Sequence, residues 1–364
     1  MENMGLENLF GGTYKNRVCL VTGHTGFKGS WLTYWLCKMG AKVIGFSLEP
    51  DTSPNHHDIL DKSHTSIIGD IRNLSQLNEV FETHKPEVVF HLAAQALVRY
   101  SYDNPIETYS TNVLGTVSVF EAARKTNSVK AIVNITSDKC YDNKEWIWGY
   151  RENDPMGGFD PYSASKGCAE LVTSSYQKSY FNQGKILLAS GRAGNVVGGG
   201  DWAEDRLIPD IVKAASLNES VLIRNPLATR PWQHVLEPLS GYLMLGWKLL
   251  NKDVNYAEGW NFGPDLENNV SVKEIIQRVK KCWDKVDYDV NQNKNEHHEA
   301  NLLMLDCSKA NKLMRWLPVW GLETTIEKTI NWYKEYYEND KVNTKKDLMD
   351  FVKSAKQNSL PWTM

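Results

Sequence analysis

The chain lacks an excess of charge of either sign. Its 41 Lys and Arg stand against 44 Asp and Glu, a formal net charge of −3 over 364 residues. Binding nucleic acid or an anionic membrane surface calls for a basic footprint, and there is none. Long apolar runs are also missing; none approaches the roughly 18 residues that a membrane span requires. Neither nucleic acid nor a membrane is therefore predicted as a partner. Residues 1–13 carry Glu2 and Glu7 and no extended apolar core, which argues against a secretory signal. The six cysteines (Cys19, Cys37, Cys140, Cys168, Cys282 and Cys307) are scattered and form no C-x-x-C. That pattern reads as reduced thiols in a cytoplasmic protein. Internal repeats and low-complexity tracts are absent. His56-His57 and His297-His298 have no matched Cys or carboxylate spacing, so they read as loop residues and no metal site is predicted.

What remains is an ordinary folded composition, 41% hydrophobic and 23% charged, long enough for about two domains. The 13 tryptophans include several in 146–148 and 202–260. That clustering hints at an aromatic-walled pocket, although core packing is its commoner cause.

Apolar runs alternate with helical periodicity over the first half. Strands are predicted at 17–22, 42–48, 87–92, 131–136 and 186–189, with a third-strand region ahead of Gly69. Helices are predicted at 30–39, 74–84, 107–125 and 162–180. Alternation of this kind calls for a parallel, doubly wound α/β sheet. The 142–161 stretch is a long loop of Gly, Pro and Trp, of the kind that is usually functional. After about Asn195 the pattern becomes irregular. Helices are predicted at 208–215, 236–250, 272–283 and 324–337, a short strand at 221–223, and a charged, partly amphipathic tail from Asn339. The second half thus suits a smaller, mixed α/β lobe.

Gly23-His24-Thr25-Gly26-Phe27-Lys28-Gly29 follows the first strand and opens a helix. Its glycines permit a tight turn and close approach of backbone N–H groups to a pyrophosphate at a helix N-terminus. Lys28 either reaches that pyrophosphate or is an exposed lysine at a helix start. No acid that would hold an adenosine ribose ends the second strand, where Ser47 stands; Glu49 and Asp51 read as solvated loop acids. No Arg is near to hold a 2′-phosphate, so NAD is favoured over NADP. Asp70 either accepts from an adenine amino group or caps the helix that begins near Leu74.

Tyr162 and Lys166 are four residues apart and share one helix face. A phenol titrates near pH 10, and an adjacent ammonium can hold it near its anionic form. Ser137, Asp138 and Lys139 end an apolar strand upstream. Arg206 and Arg230 are the best diphosphate partners, since the guanidinium fork matches phosphate. Arg224 and Lys213 read as surface charges.

These motifs, together with Gly69-Asp70-Ile71-Arg72, His91-Leu92-Ala93-Ala94-Gln95, Ser110-Thr111-Asn112-Val113-Leu114-Gly115-Thr116 and Arg192-Ala193-Gly194-Asn195-Val196, resemble the extended short-chain dehydrogenase/reductase family over nearly the whole chain. Within it, Ile135 to Asn143, Gly199-Gly200-Asp201-Trp202 and Arg230 to Val235 resemble the sugar-nucleotide 4,6-dehydratases, and among them the branch that takes cytidine-diphosphate hexoses. The resemblance implies a Rossmann-like domain over 1–195 and mainly a nucleotide-sugar lobe over 196–364, with some chain exchange between them. It implies NAD held by Gly23, Thr25, Gly26, Phe27, Lys28, Gly29, Ser47, Asp70, Ile71, Leu92, Ala93, Ala94, Gln95, Thr111, Tyr162 and Lys166. It implies substrate contacts from Ser137, Asn195, Arg206 and Arg230. The implied reaction oxidises C4, eliminates water across C5 and C6 and returns the hydride to C6, for deoxysugar or O-antigen synthesis. Tyr162, with Ser137 and Lys166, would take the C4 hydroxyl proton. Asp138 would be the acid and Lys139 the C5 base, although relatives carry Glu at the latter position. A 4-epimerase, a dehydratase for another nucleotide, and a non-catalytic NAD-binding scaffold remain as alternatives. The helices 107–125 and 162–180 resemble a dimer-forming pair, which implies a homodimer or homotetramer.

Overall fold

The first strand, β1 (Val18–Thr22), is apolar and β-branched and is buried from Cys19 onward. A strand buried on both faces belongs at the centre of a parallel sheet, and β1 lies there in the computed structural model. The structure describes residues 5–181, 184–223, 225–265, 269–290 and 302–364. Arg224, His297 and His298 lie outside the described residues. Around β1 run β2 (Lys42–Ser47), β3 (Thr65–Ile68), β4 (Val88–His91), β5 (Ala131–Ile135) and β6 (Leu187–Ala193). With the strand Gly259–Phe262 they form a seven-stranded sheet in the order Gly259–Phe262, β6, β5, β4, β1, β2, β3. Every pairing in it is parallel. The strand order reverses between β1 and β4, and the crevice outside their carboxyl ends is where such sheets bind ligands.

Three helices of the first half follow the predicted spans closely: α1 (Phe27–Lys38), α3 (Leu74–His84) and the helix Pro161–Ser179. The predicted continuous helix over 107–125 is interrupted. Pro105–Tyr109 leads into a π-helical turn at Ser110–Leu114 before Gly115–Lys125 resumes. The widened turn holds Asn112 inward, where its amide bonds the backbone of Gln95 in both directions and Ser165 Oγ. Single π turns of this kind are common at functional sites.

His56-His57 are not loop residues. They open α2 (His56–Ile59) and both are buried. His56 is satisfied at both nitrogens, by Ser30 Oγ and Thr344 Oγ1, each at 2.8 Å.

The second half returns to the sheet. The helix Leu236–Leu250 packs through Leu239, Tyr242 and Leu243 into the same core as β1, β4 and β5. The charged tail forms the helix Thr344–Gln357, whose Leu348, Phe351 and Val352 join Trp35 and Trp362 in that core. A second core gathers Trp202, Trp232, Trp283 and Trp332 with the helices Leu207–Leu217, Val272–Cys282 and Leu322–Asn339. Most tryptophans of 202–260 therefore pack cores. Trp146 and Trp148 instead lie on the surface of the 142–161 loop, Trp146 stacked on Tyr150.

Candidate active site

The turn after β1 brings its backbone against the end of β4. A Cβ on Gly29 would sit 1.9 Å from the Gly23 carbonyl oxygen, and one on Gly23 would sit 2.7 Å from the Ala93 nitrogen. Gly23 also takes φ +75°, which β-carbon sterics disfavour. The Ala93 N–H donates to Thr22 Oγ1 at 3.2 Å, locking the Leu92-Ala93-Ala94-Gln95 segment beside the turn. Gly26 is exposed at the N-cap of α1 and no side chain caps that helix, which leaves its first N–H groups without a side-chain acceptor. A dinucleotide pyrophosphate fits this cradle.

At the adenosine side, Thr25 Oγ1 bonds Ser47 Oγ at 2.8 Å and the Leu48 carbonyl at 2.9 Å. Asp70 does not cap α3; Asn73 does, accepting from the Gln76 N–H. Both Asp70 oxygens bind Arg72, which holds its carboxyl below the ordinary range. Ile71 is buried against Gly115, where a Cβ would clash with it. Thr111 sits half-buried in the π turn.

Lys28 is not the exposed lysine of the two readings. It is half-buried with Asp138, Arg206, Lys166 and Asp201 as its charged neighbours, and desolvation draws its ammonium down to about 8 against the pull of Asp138.

The chemistry-bearing residues converge where β5 ends. Ser137 is extended and caps a short 3₁₀ turn, Asp138–Cys140, by accepting from the Lys139 N–H at 3.2 Å. Its hydroxyl donates to Asp138 Oδ1 at 3.0 Å. Asp138 is 4% exposed. Desolvation pushes its carboxyl up, opposed by Lys139, Ser137, Lys28 and Arg230. Gly194 packs closely across from it: a Cβ there would lie 2.8 Å from Asp138 Oδ2, so a side chain would displace the carboxyl. Lys139 is half-buried beside Asp138.

Tyr162 and Lys166 lie on the helix Pro161–Ser179, started by Asp160, whose side chain accepts from the Ser163 N–H. Both are buried. Burial pushes the Tyr162 phenol up to about 12, with Ser137 and Arg206 pulling it down. In the chain alone the phenol is thus held protonated, opposite to the direction that the Tyr/Lys spacing suggests. Lys166 is drawn down to about 8 by desolvation, opposed by Glu170 and Cys140.

Arg206 pairs with Asp201 at 2.8 Å and faces Tyr162. Arg230 stands on the short strand Thr229–Pro231 with its charge toward Asp138. Asn195 is half-buried after β6, and its carbonyl accepts from the Gln233 N–H at 3.3 Å. Lys28, Lys139, Arg206 and Arg230 thus surround Asp138 and Tyr162 with positive charge. A diphosphate is the natural counter-ion for such a set.

Sequence reasoning gave no role to the layer behind these residues. Glu170, one further turn along the helix from Lys166, is buried and paired with Arg192 at 2.8 Å. It also accepts from Thr136 and Ser190, and these donors with Arg192 hold its carboxyl low despite burial. Arg192 in turn donates to Tyr141, whose hydroxyl reaches Asn261. The i, i+4, i+8 spacing Tyr162–Lys166–Glu170 was the available signal.

Comparison with known proteins agrees with this geometry. The GDP-mannose 4,6 dehydratase family matches residues 20–329. The CDP-glucose 4,6-dehydratase of Salmonella typhimurium is 50% identical over 351 residues, covering 94% of this chain and 98% of that protein. An epimerase from Methanothermobacter thermautotrophicus superposes with a TM-score of 0.81 at 24% identity, covering 93% of this chain and 98% of its own. The dTDP-glucose 4,6-dehydratase of Bacillus anthracis, solved with NAD, gives a TM-score of 0.74 at 23% identity over 89% of this chain and 98% of its own. With half its residues shared end to end with one such enzyme, and the family pattern running from β1 to the helix Leu322–Asn339, the chain belongs to the GDP-mannose 4,6 dehydratase family of extended short-chain dehydrogenase/reductases.

Proposed function

We propose that this chain is an NAD-dependent CDP-glucose 4,6-dehydratase, a hydro-lyase that forms CDP-4-dehydro-6-deoxy-D-glucose. The observation that carries the reading is Asp138: a desolvated carboxyl, pushed toward its acid form, hydrogen-bonded to Ser137 within a cationic crevice that also holds Tyr162. A 4-epimerase needs the Tyr, Ser and Lys but has no use for a buried acid. The CDP preference rests on the 50% identity to the Salmonella enzyme.

NAD, which the turn Gly23–Gly29 after β1 would hold, would supply the hydride acceptor for C4 and the hydride donor for C6. The residues of the chain do the rest. Tyr162 takes the C4 hydroxyl proton, with Ser137 bonded to the same oxygen and Lys166 favouring the phenolate. The resulting 4-keto group acidifies the C5 hydrogen. Lys139 takes that proton, and Asp138 delivers one to the departing C6 hydroxyl. Lys28, Arg206 and Arg230, with Asn195, hold the phosphates; Arg206 is pre-oriented by Asp201. Lys139 then returns its proton to C5 as C6 is reduced, and the proton gained by Tyr162 offsets the one given up by Asp138, so the residues of the chain together end with the charge with which they began.

We further propose a homo-oligomer through the helices Pro105–Lys125 and Pro161–Ser179, which present Ile106, Leu114 and Leu171 to solvent. A cytoplasmic setting is consistent with six unpaired cysteines. No described helix is long and apolar enough to cross a membrane.

The test offers CDP-, dTDP-, UDP- and GDP-glucose, each deuterated at C4, with NAD. Loss of water, deuterium recovered at C6 and the highest kcat/KM for CDP-glucose are expected. Faster turnover of another nucleotide overturns the CDP assignment. A C4-epimerised hexose that keeps its water overturns the dehydratase reading.

A further inference from the structure

Three histidines from separate parts of the chain meet beneath the cofactor turn. His24 lies in the turn itself, His57 in α2 and His64 just before β3. Their ring centroids are 5.1, 5.3 and 5.5 Å apart. One nitrogen from each falls within 4.8 Å of the others. His24 is fully buried, His57 is buried and His64 is half-buried.

Edge-on packing of three neutral imidazoles accounts for the ring angles but not for the nitrogens. His64 Nε2 is buried with no hydrogen-bond partner, and His24 Nδ1 is buried with none of ordinary geometry, although the Phe46 backbone lies close enough to His24 to favour its protonated form. Buried polar atoms are nearly always satisfied, so each orphan calls for an explanation. Here two of them belong to the same cluster. The other His24 nitrogen, Nε2, lies 2.7 Å from Ser66 Oγ, a hydrogen bond that orients the ring. Metal-bound histidines are commonly oriented by such an outer partner. His56, the sequence neighbour of His57, makes the contrast, since both its nitrogens are taken.

We propose that His24, His57 and His64 bind one divalent ion of the zinc class. Three imidazoles are a competent zinc set, with bonds of about 2.0–2.1 Å and the fourth tetrahedral position left to water or another donor. Such bonds put ligand nitrogens about 3.3 Å apart, so the rings must close by on the order of 1.5 Å at the widest pair. His57 and His64 line a cavity of about 10 Å³ with Cys37 and Asp61, room for about one water-sized ligand. The rings are already in the ligating, neutral state. Burial draws His24 down to about 3 and His64 to about 4, and lowers His57. The charges facing them are Lys62, which opposes protonation, and Asp58 and Glu49, which favour it at His57. The ion would clamp residues 57–64 to the turn that carries His24.

The experiment strips the full-length protein with a chelator and titrates it with Zn²⁺ and Co²⁺. One ion per chain is expected, with the visible ligand-field bands of tetrahedral cobalt. His57→Gln combined with His64→Gln should weaken binding at least about 100-fold and abolish those bands, while circular dichroism of the metal-free variant matches wild type. His297→Gln with His298→Gln should leave binding unchanged. Zinc should slow amide exchange across 55–66 in wild type only. No uptake by wild type, octahedral cobalt, binding that survives the His57/His64 change or is lost with the His297/His298 change, or exchange indifferent to zinc each overturns the proposal.

Discussion

Glu170→Gln tests whether the layer behind the catalytic helix works as described. Glu170 and Arg192 expose only 4% and 6% of their side chains, so surface screening does not dilute the pair. Gln is nearly isosteric and keeps an oxygen to accept from Thr136, with its NH2 donating to Ser190 Oγ once that hydroxyl turns, but it leaves the Arg192 guanidinium buried without its counter-charge. Breaking a buried pair from one side costs about 3–5 kcal/mol, and the retained hydrogen bonds place this variant near the lower figure. For a chain of this length about 3 kcal/mol corresponds to a drop in Tm of about 4 °C. The pH dependence has a definite sign. Glu170 is held below its ordinary value in the fold, so its contribution is complete above the unfolded carboxylate pKa of about 4.3 and fades as pH falls through the folded one. The gap between wild type and variant should therefore be open near pH 6 and close in acid. Activity carries a second signature. Glu170 holds Lys166 up toward its charged form, and Lys166 already sits at about 8. Without that carboxylate Lys166 titrates lower, so the alkaline limb of kcat/KM should move to lower pH. Urea melts across pH with kcat/KM profiles on the same protein measure both effects. A variant as stable as wild type at pH 7, with an unmoved alkaline limb, would refute the argument.

Gly29→Ala places a methyl 1.9 Å from the Gly23 carbonyl; NAD affinity should fall by at least about tenfold and stability with it, read by fluorescence titration and thermal melts. Tyr162→Phe removes the acceptor of the C4 proton and should lower kcat by about 10²–10⁴ with NAD binding near wild type, checked by steady-state kinetics and titration. Lys139→Met should still oxidise C4, so reduced nicotinamide accumulates on the enzyme in a single turnover while solvent deuterium enters C5 slowly. Wild-type deuterium entry and dehydration in that variant would remove Lys139 as the base.

The sequence by itself was enough for the parallel sheet, the dinucleotide turn and the Tyr162/Lys166 pair. Each is written in short-range spacing: apolar runs of strand length, three glycines within seven residues, a four-residue helical repeat. The Ser137, Asp138 and Lys139 cluster was legible because it sits at a strand end, where parallel sheets place their chemistry. Only the tertiary structure decided what those groups feel. Burial is a property of everything packed around a residue, so Tyr162 is pushed up to about 12 and Lys28 drawn down to about 8 by neighbours remote in sequence. The same holds for inward-facing Lys28, for Arg192 beneath Glu170, and for His24, His57 and His64. Parallel strands are joined by crossovers of a dozen or more residues, so side chains that meet at one strand edge are separated along the chain by whole helices, and no local period records their meeting.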